Sequence, residues 1–197
     1  MKSKKIFCIG FNKTGTSSLS AIAKSCRIKS LHNPEWAEQS RLRQPQFFEK
    51  FNFYCDGGLA NFEWLDQQFN AFFILNTRPL TSWLVSRYNH VERNKRLKKS
   101  GIKKSWTDNT ESAIENWIKM RIWYHKKSYS YFQKKTNFLT IDFWRMSSRQ
   151  ITKRLESIFE HKIEKIPRKN VAYKLESYQT LPGNVYSALK NLNMNLN

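Results

Sequence analysis

Long apolar runs are missing from this chain. No window of about eighteen apolar residues occurs, so no membrane-spanning helix is encoded. The start Met-Lys-Ser-Lys-Lys has the charge of a signal n-region, but the apolar run behind it ends at Ile9, too short for an h-region. The expectation is a protein that stays where it is made, in the cytoplasm. Cysteine is scarce too: Cys8, Cys26 and Cys55 are odd in number and lack metal-ligand spacing. Reduced thiols follow, with Cys8 and Cys55 acting as small buried hydrophobes in apolar runs. The four histidines include no H-x-x-x-H pair, which argues against a metal site. Internal repeats and low-complexity linkers are absent. Acidic residues are few, 15 against 35 basic, for a net charge of +20. Such a balance favours anionic ligands: nucleotides, nucleic acid, acidic glycans or anionic membrane. A biased composition with a solvated surface would give the same number. The densest basic cluster is Arg93, Lys95, Arg96, Lys98, Lys99, Lys103 and Lys104.

What is present suits a folded protein. Hydrophobic residues make up 40% and aromatics 15% of 197 residues, enough for one sizeable core and short for two, so a single domain is expected. Short apolar runs at 4–9, 51–55, 71–76 and 137–141 read as buried strands. Helical spacing follows at 16–25, 35–50 (interrupted by Pro45), 61–68, 81–98, 110–134, 148–159 and 185–192. Asp108-Asn-Thr-Glu111 has the form of a capping box for the longest of these. Strands alternating with helices predict an α/β fold, a parallel sheet flanked by helices. Ligands bind such sheets beyond the carboxyl ends of the strands. The loops 10–17, 56–58 and 76–82 all follow strand ends, so they can share one crevice.

The first of these loops carries chemistry. Gly10-Phe-Asn-Lys-Thr-Gly15 has the G-x-x-x-x-G spacing of a phosphate loop between a strand and a helix. Backbone N–H groups of such a loop point inward, and the helix N-terminus adds positive potential. A nucleotide kinase would place Lys and then Ser or Thr directly after the second glycine, for the β/γ-phosphates and magnesium. Thr16 and Ser17 stand there, and the lysine is moved to Lys13. This speaks against a magnesium- and nucleoside-triphosphate-dependent enzyme, and it suits a single leaving phosphate.

The run F-N-K-T-G-T-S-S-L resembles the 5′-phosphosulfate loop of sulfotransferases, with Asn12 in place of the usual Pro or Arg. In N-T-R-P-L-T-S-W-L-V-S-R-Y, Arg78 and Ser86 stand eight apart, as in that family's 3′-phosphate site. An arginine at a strand end can fork onto a phosphate. The resemblance covers roughly residues 4–160 and is nearest the bacterial and carbohydrate-type branches. It implies a P-loop-like sulfotransferase fold and 3′-phosphoadenosine 5′-phosphosulfate as sulfuryl donor, without a metal. The implied acceptor bears a hydroxyl or amine, with a carbohydrate, including an anionic glycan, among the options. Lys13, Thr14, Gly15, Thr16, Ser17, Ser18, Arg78 and Ser86 would bind the donor. Lys13 would also neutralise the leaving oxygen. The family's catalytic base often follows the strand before the arginine strand, where Asp56 stands in F-Y-C-D-G-G. A turn-capping role is the plainer reading of Asp56. His32 and Glu35, in L-H-N-P-E, are the other candidates. The family's C-terminal glycine-rich motif is missing, and Arg168 and Lys169 are its loose counterpart. Two other classes stay open: a protein binding RNA or acidic glycan on a degenerate phosphate loop, and an atypical P-loop kinase. The tryptophans fall mostly at helical core positions, which favours packing over base stacking. The oligomeric state is open.

Overall fold

A computed structural model describes residues 4–97, 107–166 and 181–194. Lys98, Lys99, Lys103, Lys104, Arg168 and Lys169, expected to face anions, lie outside the described residues. The chain divides into two compact units, Met1–Arg78 with Lys127–Asn170, and Pro79–Lys126 with Val171–Asn197.

The first unit holds the sheet. Its strands are β1 (Lys5–Cys8), β2 (Ser30–His32), β3 (Phe53–Cys55), β4 (Ala71–Thr77) and β5 (Phe138–Asp142), in the order β2-β3-β1-β4-β5. Every neighbouring pair is parallel. A parallel sheet needs crossovers, and α1 (Thr16–Ser25) carries the chain from β1 to β2 and α3 (Phe62–Gln68) from β3 to β4. A short α2 (Glu35–Arg41) and a 3₁₀ turn (Pro45–Phe48) lead from β2 towards β3, Pro45 dividing the region expected as one interrupted helix.

Alternation along the strands splits the core by chemistry. Ile6, Cys8, Phe53, Cys55, Ile74 and Ile141 face an aliphatic layer made by α1 and by α6 (Ser148–Phe159). The opposite face is aromatic. The Phe7 ring lies 5.2 Å from Tyr54, 5.6 Å from Trp36 and 5.7 Å from Phe73, and Phe73 lies 4.8 Å from Phe132. Core packing therefore accounts for much of the aromatic content. All three cysteines are free thiols and buried.

The second unit contains α4 (Leu80–Arg96), α7 (Gly183–Asn191) and the first part of α5 (Glu111–Phe132). The Arg87 guanidinium lies 4.4 Å from the Trp117 ring and 5.9 Å from Trp83, and that of Arg121 lies 4.9 Å from Trp83. Half-buried His125 is held down to about 4 by desolvation and then by the Arg121 charge. The expected capping box at Asp108 and Glu111 is not how α5 begins. The Thr110 hydroxyl accepts the Ala113 N–H at 3.4 Å, while Asp108 accepts the Thr110 N–H at 3.0 Å. Glu111 sits one position into the helix, too early to reach back. Among the described residues no helix is long and apolar enough to cross a membrane.

Candidate functional site

The sheet order reverses between β1 and β3: from β1 the chain moves towards β2, and from β3 it crosses to β4 on β1's other side. Loops at such a reversal leave on opposite faces and open a crevice at the carboxyl ends. Two loops expected there do meet. The Gly57 N–H donates to the Cys8 carbonyl at 3.3 Å, tying the turn after β3 to the end of β1.

The loop after β1 is held from below by Asn76, a fully buried side chain at the end of β4. Its Oδ1 accepts the Gly10 N–H at 3.2 Å and the Cys8 thiol at 2.9 Å. Its Nδ2 donates to the Thr14 carbonyl at 3.3 Å and to the Thr14 hydroxyl, which itself donates to the Phe11 carbonyl. Thr14 therefore acts as part of the loop's frame, and its buried hydroxyl is turned inward. Gly10 is required by this fit, because a Cβ there would lie 2.2 Å from the Asn76 carbonyl oxygen.

Two residues of the loop take the left-handed backbone conformation, Lys13 at φ 65° and Gly15 at φ 95°. Glycine does so freely, whereas lysine adopts it at a cost. The Lys13 carbonyl is fixed by the Arg78 guanidinium, whose Nη1 donates to it at 3.2 Å. Thus the backbone of one expected phosphate ligand is set by the side chain of another. Arg78 is only 4% exposed and stacks on Trp144 at 4.0 Å.

Gly15 caps α1, and its carbonyl accepts the N–H groups of Ser18 and Leu19, both at 3.1 Å. No acidic residue stands in the first turn. An anion at this end would meet the helix dipole without competition from a first-turn carboxylate. Thr16 and Ser18 are buried and Ser17 is half-buried. The Thr16 hydroxyl lies 3.0 Å from His32 Nε2.

The three candidate bases separate here. His32, at the end of β2, touches the first residue of α1. Asp56, left-handed at φ 71°, follows β3 directly and precedes Gly57, which bonds to β1. Glu35 opens α2 and, with Leu31, Gln39, Lys50 and Phe51, lines a cavity of about 480 Å³ that includes no residue of the phosphate loop. Ser86 belongs to α4 in the second unit, where it is half-buried. Of the basic cluster, Arg93, Lys95 and Arg96 end α4 on its exposed side, with Lys95 3.2 Å from the Glu92 carboxylate.

Sequence reasoning missed three parts of this arrangement. Asn76 was legible as the polar end of an otherwise apolar strand. The short strand β2, which delivers His32, has no apolar run to announce it. The turn after β5 lies beyond the apolar run that announced the strand, yet it builds one wall of the site: the Phe143 ring abuts Gly15, where a Cβ would lie 2.5 Å from Cδ2.

No protein-family model matches the chain. No curated protein matches it either. Among solved structures, it is similar to a sulfotransferase from Alicyclobacillus acidocaldarius, with a TM-score of 0.56 at 12% identity over 100% of this chain and 98% of that one. The fold is sulfotransferase-like. The likeness extends over the whole chain.

Proposed function

We propose that this chain is a sulfotransferase that moves a sulfuryl group from 3′-phosphoadenosine 5′-phosphosulfate to a hydroxyl or amine, a carbohydrate being one acceptor class. The observation that carries the reading is the Arg78–Lys13 link. One short loop, frozen by Asn76, joins a lysine to a nearly buried arginine through a backbone hydrogen bond. A guanidinium tied to the backbone of the lysine residue suits a ligand phosphorylated at two points. The acid-free start of α1 adds a third favourable element for an anion.

In this reading the acceptor oxygen or nitrogen attacks sulfur as the bond from sulfur to the bridging oxygen breaks. Adenosine 3′,5′-bisphosphate leaves, and the acceptor's proton passes to a base. The Lys13 ammonium neutralises charge growing on the bridging oxygen, and Thr16, Ser17 and Ser18 line the 5′-phosphate at the start of α1. Arg78 takes the 3′-phosphate, and Ser86 is the second residue that the family resemblance assigns to it. Asp56 is the base, since it leaves β3 beside the loop of β1. His32 holds the Thr16 hydroxyl and supports the phosphate side. Reduced, buried thiols fit a cytoplasmic setting.

The test is transfer of radiolabelled sulfur from the donor to a panel of hydroxyl and amine acceptors. Label should appear in at least one acceptor, vanish with Lys13→Ala, and fall at least about a hundredfold with Asp56→Asn. Magnesium-dependent consumption of ATP in place of sulfur transfer would replace this reading with the kinase one. Salt-sensitive RNA or glycan binding that ignores Lys13 and Arg78 would replace it with polyanion binding.

A further inference from the structure

We infer that Trp144 is a positioning residue that holds the Arg78 guanidinium in the plane needed to select a nucleotide bearing a second, ribose-linked phosphate; the inference rests on the donor reading given above. Trp144 is 41% exposed, yet it is not a loose surface ring. The turn that carries it is fixed: the Trp144 backbone N–H donates to Asp142 Oδ1 at 2.8 Å, and the Arg145 backbone N–H donates to the same oxygen at 3.1 Å. Asp142 closes β5 in register with Thr77, whose hydroxyl donates to Asp142 Oδ2 at 3.4 Å. The residue after Thr77 is Arg78. Strand register therefore places the indole and the guanidinium side by side.

The arginine is held in two independent ways. The Lys13 carbonyl accepts from Nη1, and the indole lies 4.0 Å from the guanidinium carbon. The first fixes an edge, and the second fixes the plane. A long arginine side chain ordinarily surrenders rotamer freedom when it clamps a phosphate, and a guanidinium already pinned loses less. The benefit falls only on ligands that reach Arg78. The ring thus acts through Arg78 on selectivity, while the 5′-phosphate end of the nucleotide rests on the phosphate loop.

The experiment is calorimetric titration of wild type, Trp144→Ala and Trp144→Phe with adenosine 3′,5′-bisphosphate and with adenosine 5′-phosphate. Trp144→Ala should weaken the bisphosphate about tenfold and leave the monophosphate within about twofold. Trp144→Phe, which restores a ring face, should recover most of the loss. Equal weakening of both nucleotides would overturn the inference, since the ring would then serve the base or general folding. Unchanged bisphosphate affinity in Trp144→Ala would overturn it as well, leaving the donor reading intact. A wild type that binds no bisphosphate would overturn the donor reading, and this inference with it.

Discussion

Replacing Asn76 by alanine should cost more than any other single truncation in the phosphate loop's support. The amide serves Gly10 N–H at 3.2 Å, Thr14 O at 3.3 Å and the Thr14 hydroxyl, and it accepts the Cys8 thiol at 2.9 Å. Asn76 is 0% exposed, as is Thr14, so water cannot step in without opening the loop. Each buried polar group left without a partner costs roughly 1–3 kcal/mol, and two such groups, the Gly10 N–H and the Thr14 carbonyl, bring the total to about 2–6 kcal/mol. That is a large share of a stability of about 5–15 kcal/mol, and for a chain of this size it lowers the melting temperature by about 10 °C. Thermal and denaturant unfolding of Asn76→Ala, Thr14→Val and the double variant form the assay. Because Thr14 and Asn76 serve one another, the double variant should lose about 1–2 kcal/mol less than the sum of the singles. Strict additivity, or a loss below about 1 kcal/mol in Asn76→Ala, would refute the clasp.

Gly15→Ala should abolish nucleotide binding and destabilise the protein by about 1–3 kcal/mol, because the position has φ 95° and a Cβ would meet Phe143 at 2.5 Å; titration calorimetry and thermal unfolding check both parts. Stability should also fall as the solution is acidified, through His125. Burial holds its folded value at about 4, against about 6.5 for an unfolded histidine, so the unfolded chain binds the proton first. Its contribution is complete above about pH 6.5, is lost as pH falls towards 4, and amounts to about 3 kcal/mol. His125→Gln should flatten the stability profile over that window, and NMR titration of the His125 ring should report the low value directly.

The parts of the molecule written in single segments were legible before the structure. Strand, loop and helix from Lys5 to Ser25 follow from an apolar run, a glycine spacing and a helical period lying in sequence. The parallel sheet followed from the same alternation, repeated. What escaped were relations between segments. Ser30–His32 is a three-residue strand, identifiable only by its pairing with β3. Thr14 reads as one more phosphate-binding hydroxyl until Asn76, 62 residues away, is seen to bond to it. Trp144 lies in what reads as a tail to the last strand, and only the Thr77–Asp142 register brings it to Arg78. Among the base candidates, nearness in sequence grouped His32 with Glu35, whereas the fold gives His32 to Thr16 and Glu35 to a separate cavity.

Binding of adenosine 3′,5′-bisphosphate to the wild type, Lys13→Ala and Arg78→Ala is the most direct measure of the central claim. The wild type should bind with a dissociation constant of order micromolar, about −8 kcal/mol. Both variants should lose most of that affinity, because each removes one of two cations and Arg78→Ala also releases the Lys13 carbonyl. A wild type indifferent to the bisphosphate, or two variants that bind it as well as wild type, would contradict the account.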